Sequence, residues 1–122
     1  MGAGVKTPRA APLVPVARAA EIAPGRSRKF VLQCNGAEVE AFVVNHAGAF
    51  YAYVNRCCHI PMTMDWVENQ FLTEDHAHIQ CATHGALYEP ASGECVAGPP
   101  LGQCLTAVPL VVRDGMILAG CP

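Results

Sequence analysis

The hydrophobic and polar positions of this chain alternate over short stretches, and this pattern predicts β-strands. In the first half, residues 13–17, 28–32, 38–45 and 50–54 each form an apolar or alternating stretch of strand length. Pro15 lies inside the first stretch, and because proline lacks a backbone donor we expect an edge strand there. The other three stretches predict a meander of short strands.

Turn residues separate these stretches and predict where the chain reverses. Asn35-Gly36 is the strongest hairpin signal, because both residues tolerate the positive φ of a type I′ turn. Residues 46–48 predict a second turn before the strand at 50–54. Asp114-Gly115 predicts the turn of a terminal hairpin between residues 106–113 and 116–119.

The middle of the chain has shorter signals. Residues 78–80 and 86–88 predict two strands, and residues 90–93 predict a tight turn. Residues 64–72 have no clean 3.6-residue period, so at most one turn of helix is expected there. Because no long amphipathic helix and no internal repeat occurs, the predicted fold class is all-β.

Length and termini predict one domain. The chain has 122 residues, which suits a single core. We expect residues 1–11 to form a flexible tail and residues 12–122 to form the domain. Prolines at positions 8, 12 and 15 interrupt any apolar secretion signal, and no apolar run approaches the ~18 residues of a membrane span. A cytoplasmic location without membrane contact is therefore expected.

Charge and cysteine content narrow the chemistry further. The formal net charge is −2, which leaves no basic field for nucleic acid. In a reducing compartment, seven cysteines predict thiols or metal ligands rather than disulfides. Four of them are interpreted as small buried or half-exposed thiols: Cys34, Cys95, Cys104 and Cys121. Cys95 and Cys104 flank a proline loop and could approach each other.

Two short motifs supply metal ligands. Cys57-Cys58-His59 follows the predicted strand at 50–54, and Cys81-Ala-Thr-His84 follows the one at 78–80. Each pair therefore lies in a loop at a strand end, where two loops can hold one metal centre. Two thiolates and two imidazoles suit a structural Zn²⁺ ion, and they equally suit a [2Fe–2S] cluster with two cysteines on one iron and two histidines on the other.

The flanking residues favour the cluster. Three segments resemble the Rieske iron–sulfur family: Cys57-Cys-His59, Cys81-Ala-Thr-His84-Gly85-Ala-Leu-Tyr88 and Ser92-Gly-Glu-Cys-Val-Ala-Gly-Pro-Pro100. The resemblance covers roughly residues 12–119. It implies an antiparallel β-sandwich or barrel with a small cluster-binding subdomain, made of two loops and a proline loop within residues 55–64 and 79–102.

The same resemblance implies residue roles. Cys57 and Cys81 would bind the inner iron, and His59 and His84 the outer iron. The proline-containing loop of the family covers the cluster, and Gly98, Pro99 and Pro100 match it here. Tyr88 matches the family tyrosine that bonds to a ligand cysteine sulfur.

Departures from the family pattern place the chain among its soluble ferredoxins. High-potential respiratory members join the two loops by a disulfide, but Thr83 has no thiol. They also carry a serine where this chain has Ala86, so one hydrogen bond to sulfide is lost. Fewer such bonds predict a potential in the lower half of the roughly −150 to +300 mV Rieske range. Cys58 stands where relatives often have proline.

The resemblance implies a one-electron carrier that is not itself an enzyme. It would pass electrons from a reductase to a terminal oxygenase or a similar redox protein, and the partner would dock around residues 60–62 and the proline loop. Acidic side chains at positions 65, 68, 74 and 75 would steer that partner. Two alternatives stay open: a tightly bound electron-transfer subunit of a larger oxygenase or nitrite-reductase-like enzyme, and a zinc-stabilised interaction module. His76 and His78 are expected to lie in a solvated loop.

Overall fold

The computed structural model describes residues 12–56, 71–81, 86–98 and 104–122. Within these residues every regular element except one 3-10 turn is a β-strand, which confirms the all-β class. The elements are β1 (Val14–Arg18), a 3-10 helix (Ala19–Glu21), β2 (Ser27–Cys34), β3 (Ala37–His46), β4 (Ala49–Val54), β5 (Ile79–Gln80), β6 (Leu87–Tyr88), β7 (Cys95–Ala97), β8 (Leu110–Arg113) and β9 (Met116–Ala119).

The predicted meander is the antiparallel sheet β2-β3-β4. Asn35 and Gly36 have φ values of 53° and 81°, as the type I′ prediction requires. The second predicted turn is also present, with φ values of 54° and 94° at Ala47 and Gly48. The buried Asn45 amide closes this turn, because its Oδ1 accepts the Gly48 N–H at 2.8 Å. The backbone preferences of these turn residues therefore explain why β2, β3 and β4 pair in the order in which they follow one another along the chain.

A second sheet has the order β1-β9-β8. β1 is an edge strand, as Pro15 predicted. The terminal hairpin also forms, but β8 starts at Leu110 and the predicted start at residue 106 was wrong. Residues before Pro109 pair with β4 instead: the Val54 N–H donates to the Thr106 carbonyl, and the Val108 N–H donates to the Ala52 carbonyl, both at 2.9 Å.

Alternation along β3 and β4 gives the meander two buried faces and hence two cores. One face points into what we call the base core, and the other into what we call the site core. The base core contains Ala17, Ile22, Leu32, Ala41, Val43, Ala52, Val108, Ile117 and Ala119. The site core contains Phe42, Val44, Tyr53, Phe71, Ile79, Cys81, Ala86, Tyr88, Cys95 and Leu105.

The third sheet, β5-β6-β7, has strands of only two or three residues. Its hairpin β5–β6 confirms the two short predicted strands, and the tight turn at 90–93 follows with φ 75° at Gly93. β7 was not predicted, because three residues that pair through an irregular register leave almost no alternation to detect. This small sheet carries the described part of the second ligand motif.

A disulfide joins Cys34 to Cys121 across 87 positions of sequence, with a Cα–Cα distance of 5.8 Å. The prediction that these two residues are thiols was therefore wrong. Cys34 ends β2 and Cys121 follows β9, so the bond ties the meander to the terminal hairpin beside the base core. Cys95, in contrast, is a buried thiol, so it is not bridged to Cys104.

In the described ranges no helix has both the length and the apolar character needed to cross a bilayer.

Candidate metal centre

Cys81 is the predicted ligand that the structure describes, and the β5–β6 hairpin positions it. The Cys81 N–H donates to the Ala86 carbonyl at 2.9 Å, so these two residues close the loop that contains residues 82–85. Ile79 pairs with Tyr88 two positions away. Because side chains alternate along a strand, Ile79, Cys81, Ala86 and Tyr88 all lie on one face of the hairpin. All four are fully buried.

Tyr88 lies on the same buried face of the hairpin as Cys81. It occupies the diagonal cross-strand position to Cys81, where long side chains reach each other. Its phenol is fully excluded from water. A phenol buried beside a thiol provides a hydrogen-bond donor for a charged sulfur, which fits the role that the resemblance assigns to Tyr88.

Gly98 begins the predicted cover and lies directly against the hairpin. A Cβ added to Gly98 would come within 2.8 Å of the Ala86 Cα and 3.1 Å of its Cβ. Its φ of 101° is also a value that other residues rarely adopt. The backbone of Gly98 therefore packs against the face that carries Cys81, and any larger side chain would push it away.

The entry to the first motif is described up to Arg56. The Asn55 N–H donates to the Glu40 carbonyl at 2.9 Å, which fixes the chain where it leaves β4. Cys57, Cys58, His59, His84, Pro99 and Pro100 lie outside the described residues, as do residues 60–70 with the predicted helical turn, and residues 1–11. Their roles stay predictions.

The segment between the two motifs has its own contacts. The Asp75 Oδ1 accepts the Thr73 hydroxyl at 2.6 Å and the Ala77 N–H at 3.1 Å. The Thr73 hydrogen bond, followed by that of Ala77, lowers the pKa of Asp75 below its ordinary value. His76 is exposed, as the predicted solvated loop requires, whereas His78 is half-buried. The His76 ring lies against Gly25, and His78 is 3.8 Å from the Glu89 carboxylate.

Sequence patterns gave Tyr53 no individual role, but its side chain links β4 to the small sheet. Its hydroxyl donates to the Pro90 carbonyl at 2.5 Å, and its ring lies against Gly93 in the same turn. Burial raises the pKa of Tyr53 to about 12, with smaller contributions from Tyr51 and Cys104. The alternating pattern of β4 predicts that Tyr53 is buried, but its partner lies 37 positions away.

The described residues fit an iron–sulfur cluster. A fully buried thiol on one face with a buried phenol is a suitable environment for a thiolate bound to iron. The close packing of Gly98 on Ala86 adds a water-excluding wall. The donor types in the two motifs, thiolate and imidazole, suit the same group.

Comparisons with known proteins agree with this geometry. A family profile described as the Rieske [2Fe-2S] domain matches residues 12–112. The chain is 37% identical over 79 residues to a protein of Comamonas testosteroni that is named as a putative toluene-4-sulfonate monooxygenase system iron-sulfur subunit. The aligned segment is 59% of this chain and 20% of that protein. It is 36% identical over 93 residues to the cytochrome b6-f complex iron-sulfur subunit of Chlorobaculum thiosulfatiphilum, covering 72% and 44% of the two chains. The chain thus spans less than half the length of either curated relative.

Solved structures show the same fold. The ferredoxin of carbazole 1,9a-dioxygenase from Nocardioides aromaticivorans IC177 superposes with a TM-score of 0.68 at 23% identity, covering 90% of this chain and 98% of that one. A chain in a complex of reduced oxygenase and oxidized ferredoxin of carbazole 1,9a-dioxygenase superposes with a TM-score of 0.69 at 23% identity, covering 88% and 92%. At these identities the likeness establishes the fold alone.

Proposed function

Since this chain belongs to the Rieske [2Fe-2S] family, we propose that it is a ferredoxin-type one-electron carrier, which takes electrons from a reductase and delivers them to a terminal oxygenase or similar redox enzyme. When bound, the [2Fe–2S] cluster accepts and releases one electron. Cys57 and Cys81 would bind the inner iron, and His59 and His84 the outer iron. Each histidine would keep an N–H on its second ring nitrogen, where a proton can be held or released.

The observation that carries this proposal is the buried face of the β5–β6 hairpin. Cys81, Ala86 and Tyr88 lie side by side there without exposure to water. Tyr88 would donate a hydrogen bond to a ligand cysteine sulfur and so favour the more negative, reduced state. Ala86 supplies no such donor. Gly98, with Pro99 and Pro100, would cover the site and keep water away from the thiolates.

A carrier with an oxygenase partner is further supported by the ferredoxin matches. The superposition extends over 98% of the Nocardioides ferredoxin. The second superposition is to a chain from an oxygenase–ferredoxin complex. We propose that the docking surface surrounds the proline loop and residues 60–62, with acidic side chains that steer the partner at its rim. In this proposal residues 12–122 would form a single Rieske domain.

A tightly bound subunit is the second candidate, and an exposed apolar row favours it. On the β1-β9-β8 sheet, Val111 stands opposite Leu118, and Leu118 stands opposite Pro15. In this row Val111 and Pro15 are exposed and Leu118 is half-buried. In the Comamonas relative the matching segment is 20% of a longer chain that is named as an iron-sulfur subunit of a monooxygenase system. Comigration with a large enzyme through salt-washed size exclusion supports the subunit, whereas elution as a small protein supports the free carrier.

The decisive experiment measures visible absorption and the EPR spectrum after reduction. A carrier is coloured, and its reduced form has an average g below two; a colourless zinc protein contradicts the proposal. In the His84→Cys variant we expect a lower midpoint potential, because thiolate replaces neutral imidazole. His46→Gln, at the end of β3, is the control. An unchanged midpoint in His84→Cys contradicts its role as a ligand.

We propose a cytoplasmic location for the same carrier. The Cys34–Cys121 disulfide provides its test, because such bonds are rare in reducing compartments. Thiol labelling of protein taken directly from cells distinguishes the two cases. Labelling of both Cys34 and Cys121 agrees with the proposed cytoplasmic location. If neither residue is labelled, the proposed location is contradicted.

A further inference from the structure

Tyr53 connects the two parts of the molecule that carry the two ligand motifs. It lies in β4, four positions before Cys57, and it is almost fully buried in the site core. Its hydroxyl donates to the Pro90 carbonyl at 2.5 Å. Pro90 belongs to the turn that follows β6, and β6 is the return strand of the hairpin that carries Cys81. A single side chain therefore spans from one motif's strand to the other motif's hairpin.

The contact between Tyr53 and this turn involves the ring as well as the hydroxyl. A Cβ at Gly93 would lie 2.7 Å from the Tyr53 Cε1, so the ring packs directly on the Gly93 backbone. On its other side the turn is bound to the C-terminal segment, because the Leu105 N–H donates to the Gly93 carbonyl at 2.8 Å. The turn is thus enclosed between β4 and residue 105.

The position of this turn determines where Tyr88 lies. Pro90 follows Tyr88 by two residues, and the Glu89 N–H donates to the Glu94 carbonyl at 2.9 Å across the base of the turn. If the turn moved, β6 would move with it, because only Glu89 lies between them. The Tyr88 hydroxyl would then change its distance from the sulfur atoms of the ligand cysteines.

We propose that Tyr53 is a positioning residue for the cluster: by holding the Pro90–Gly93 turn it sets where the Tyr88 hydroxyl lies, and so controls the potential through Tyr88. This inference rests on the proposed function, since it needs a cluster at Cys81. Without the Tyr53 hydroxyl, the Pro90 carbonyl is left buried without this donor, and the turn can relax toward water. A weaker Tyr88 hydrogen bond to sulfur then stabilises the reduced state less.

The test is a double-mutant cycle of midpoint potentials with Tyr53→Phe and Tyr88→Phe in the cluster-loaded protein. Tyr53→Phe keeps the ring that packs on Gly93, so the fold is retained. We expect it to lower the midpoint, by less than Tyr88→Phe does. In the Tyr88→Phe background, Tyr53→Phe should produce no further shift, because the group through which it acts is absent.

Tyr51→Phe is the matched control, since Tyr51 lies on the same strand and packs against the same core. It should leave the midpoint unchanged. A Tyr53→Phe variant that melts at lower temperature with an unaltered midpoint would overturn the inference, because it would then be only a stabilising contact. Equal shifts in both backgrounds would also overturn it. A wild-type protein that holds no cluster would instead defeat the proposed function itself, and the two failures are distinguishable by colour.

Discussion

The two sheets around the base core and the small β5-β6-β7 sheet differ in strand length and in the contacts that stabilise them. β2 and β3 have eight and ten residues, pair along their whole length, and are tied to the terminal segment by a disulfide. The strands of the small sheet have two or three residues. Strands this short are marginal by themselves. Their neighbours are the predicted metal ligands.

This difference assigns separate sources of stability to the two regions. The two sheets around the base core can form from local turns, from the alternation of apolar and polar residues along their strands, and from the burial of apolar side chains. The small sheet has one wall from the meander, through Phe42 and Tyr53. We expect a bound metal centre to stabilise its other side. We therefore expect loss of the cluster to loosen the small sheet and to leave the base folded.

Cys81→Ser should have the largest effect and tests that separation directly. Serine removes the proposed thiolate ligand, so the cluster absorption should be lost. Amide exchange should also rise in β5 and β6 but not in β2 and β3. Cys95→Ala is the control, because Cys95 is equally buried in the same sheet. Full cluster absorption in Cys81→Ser would contradict the ligand role, and exchange that rises everywhere would contradict the two-region description.

Phe42→Ala should have the next largest effect, because Phe42 joins the two regions. Its ring stacks on Phe71 with centroids 4.0 Å apart and an interplanar angle of 5°. Truncating a buried phenylalanine lowers the free energy of unfolding by about 3–5 kcal/mol. Val31→Ala, at an exposed site of the neighbouring strand, is the control for denaturant unfolding. A loss below that of the control would show that the stack does not join the regions.

The Cys34→Ser/Cys121→Ser double variant examines the base alone. A bond that closes a loop of this length typically contributes about 2–5 kcal/mol, which should disappear from the free energy of unfolding. The midpoint potential should stay unchanged, because both residues lie beside the base core. Equilibrium denaturation and redox titration of the same sample measure both quantities. A shifted potential would mean that loss of the disulfide beside the base core alters the structure around the cluster.

The same division explains what could be predicted from sequence. The turns at Asn35-Gly36 and Asp114-Gly115 were predictable because positive φ is a local preference of those residues. The buried hairpin with Cys81 and Tyr88 was predictable from its motif. The Cys34–Cys121 bond was not, because it depends on bringing together two strand ends 87 positions apart. The pairing of Thr106 with Val54 is long-range in the same way.

Asp75 should give the smallest effect, and it concerns the segment that joins the two regions. The pKa of its carboxyl is lowered in the folded protein, chiefly by the Thr73 hydroxyl. The ionised form is therefore favoured by folding, and its contribution is present above the ordinary value of 3.8 and is lost as pH falls through the lowered folded value. Asp75→Asn keeps an oxygen acceptor but removes this titration.

Wild type should thus protect the Ala77 amide from exchange better than Asp75→Asn at pH 6, and the difference should vanish in acid. Glu74→Gln removes a charge from the adjacent exposed residue and controls for net charge. The neighbouring His76 ring lies against Gly25, just before β2. Local opening here should therefore release His76 before it exposes either core. A difference that persists in acid would assign the protection to shape rather than to charge.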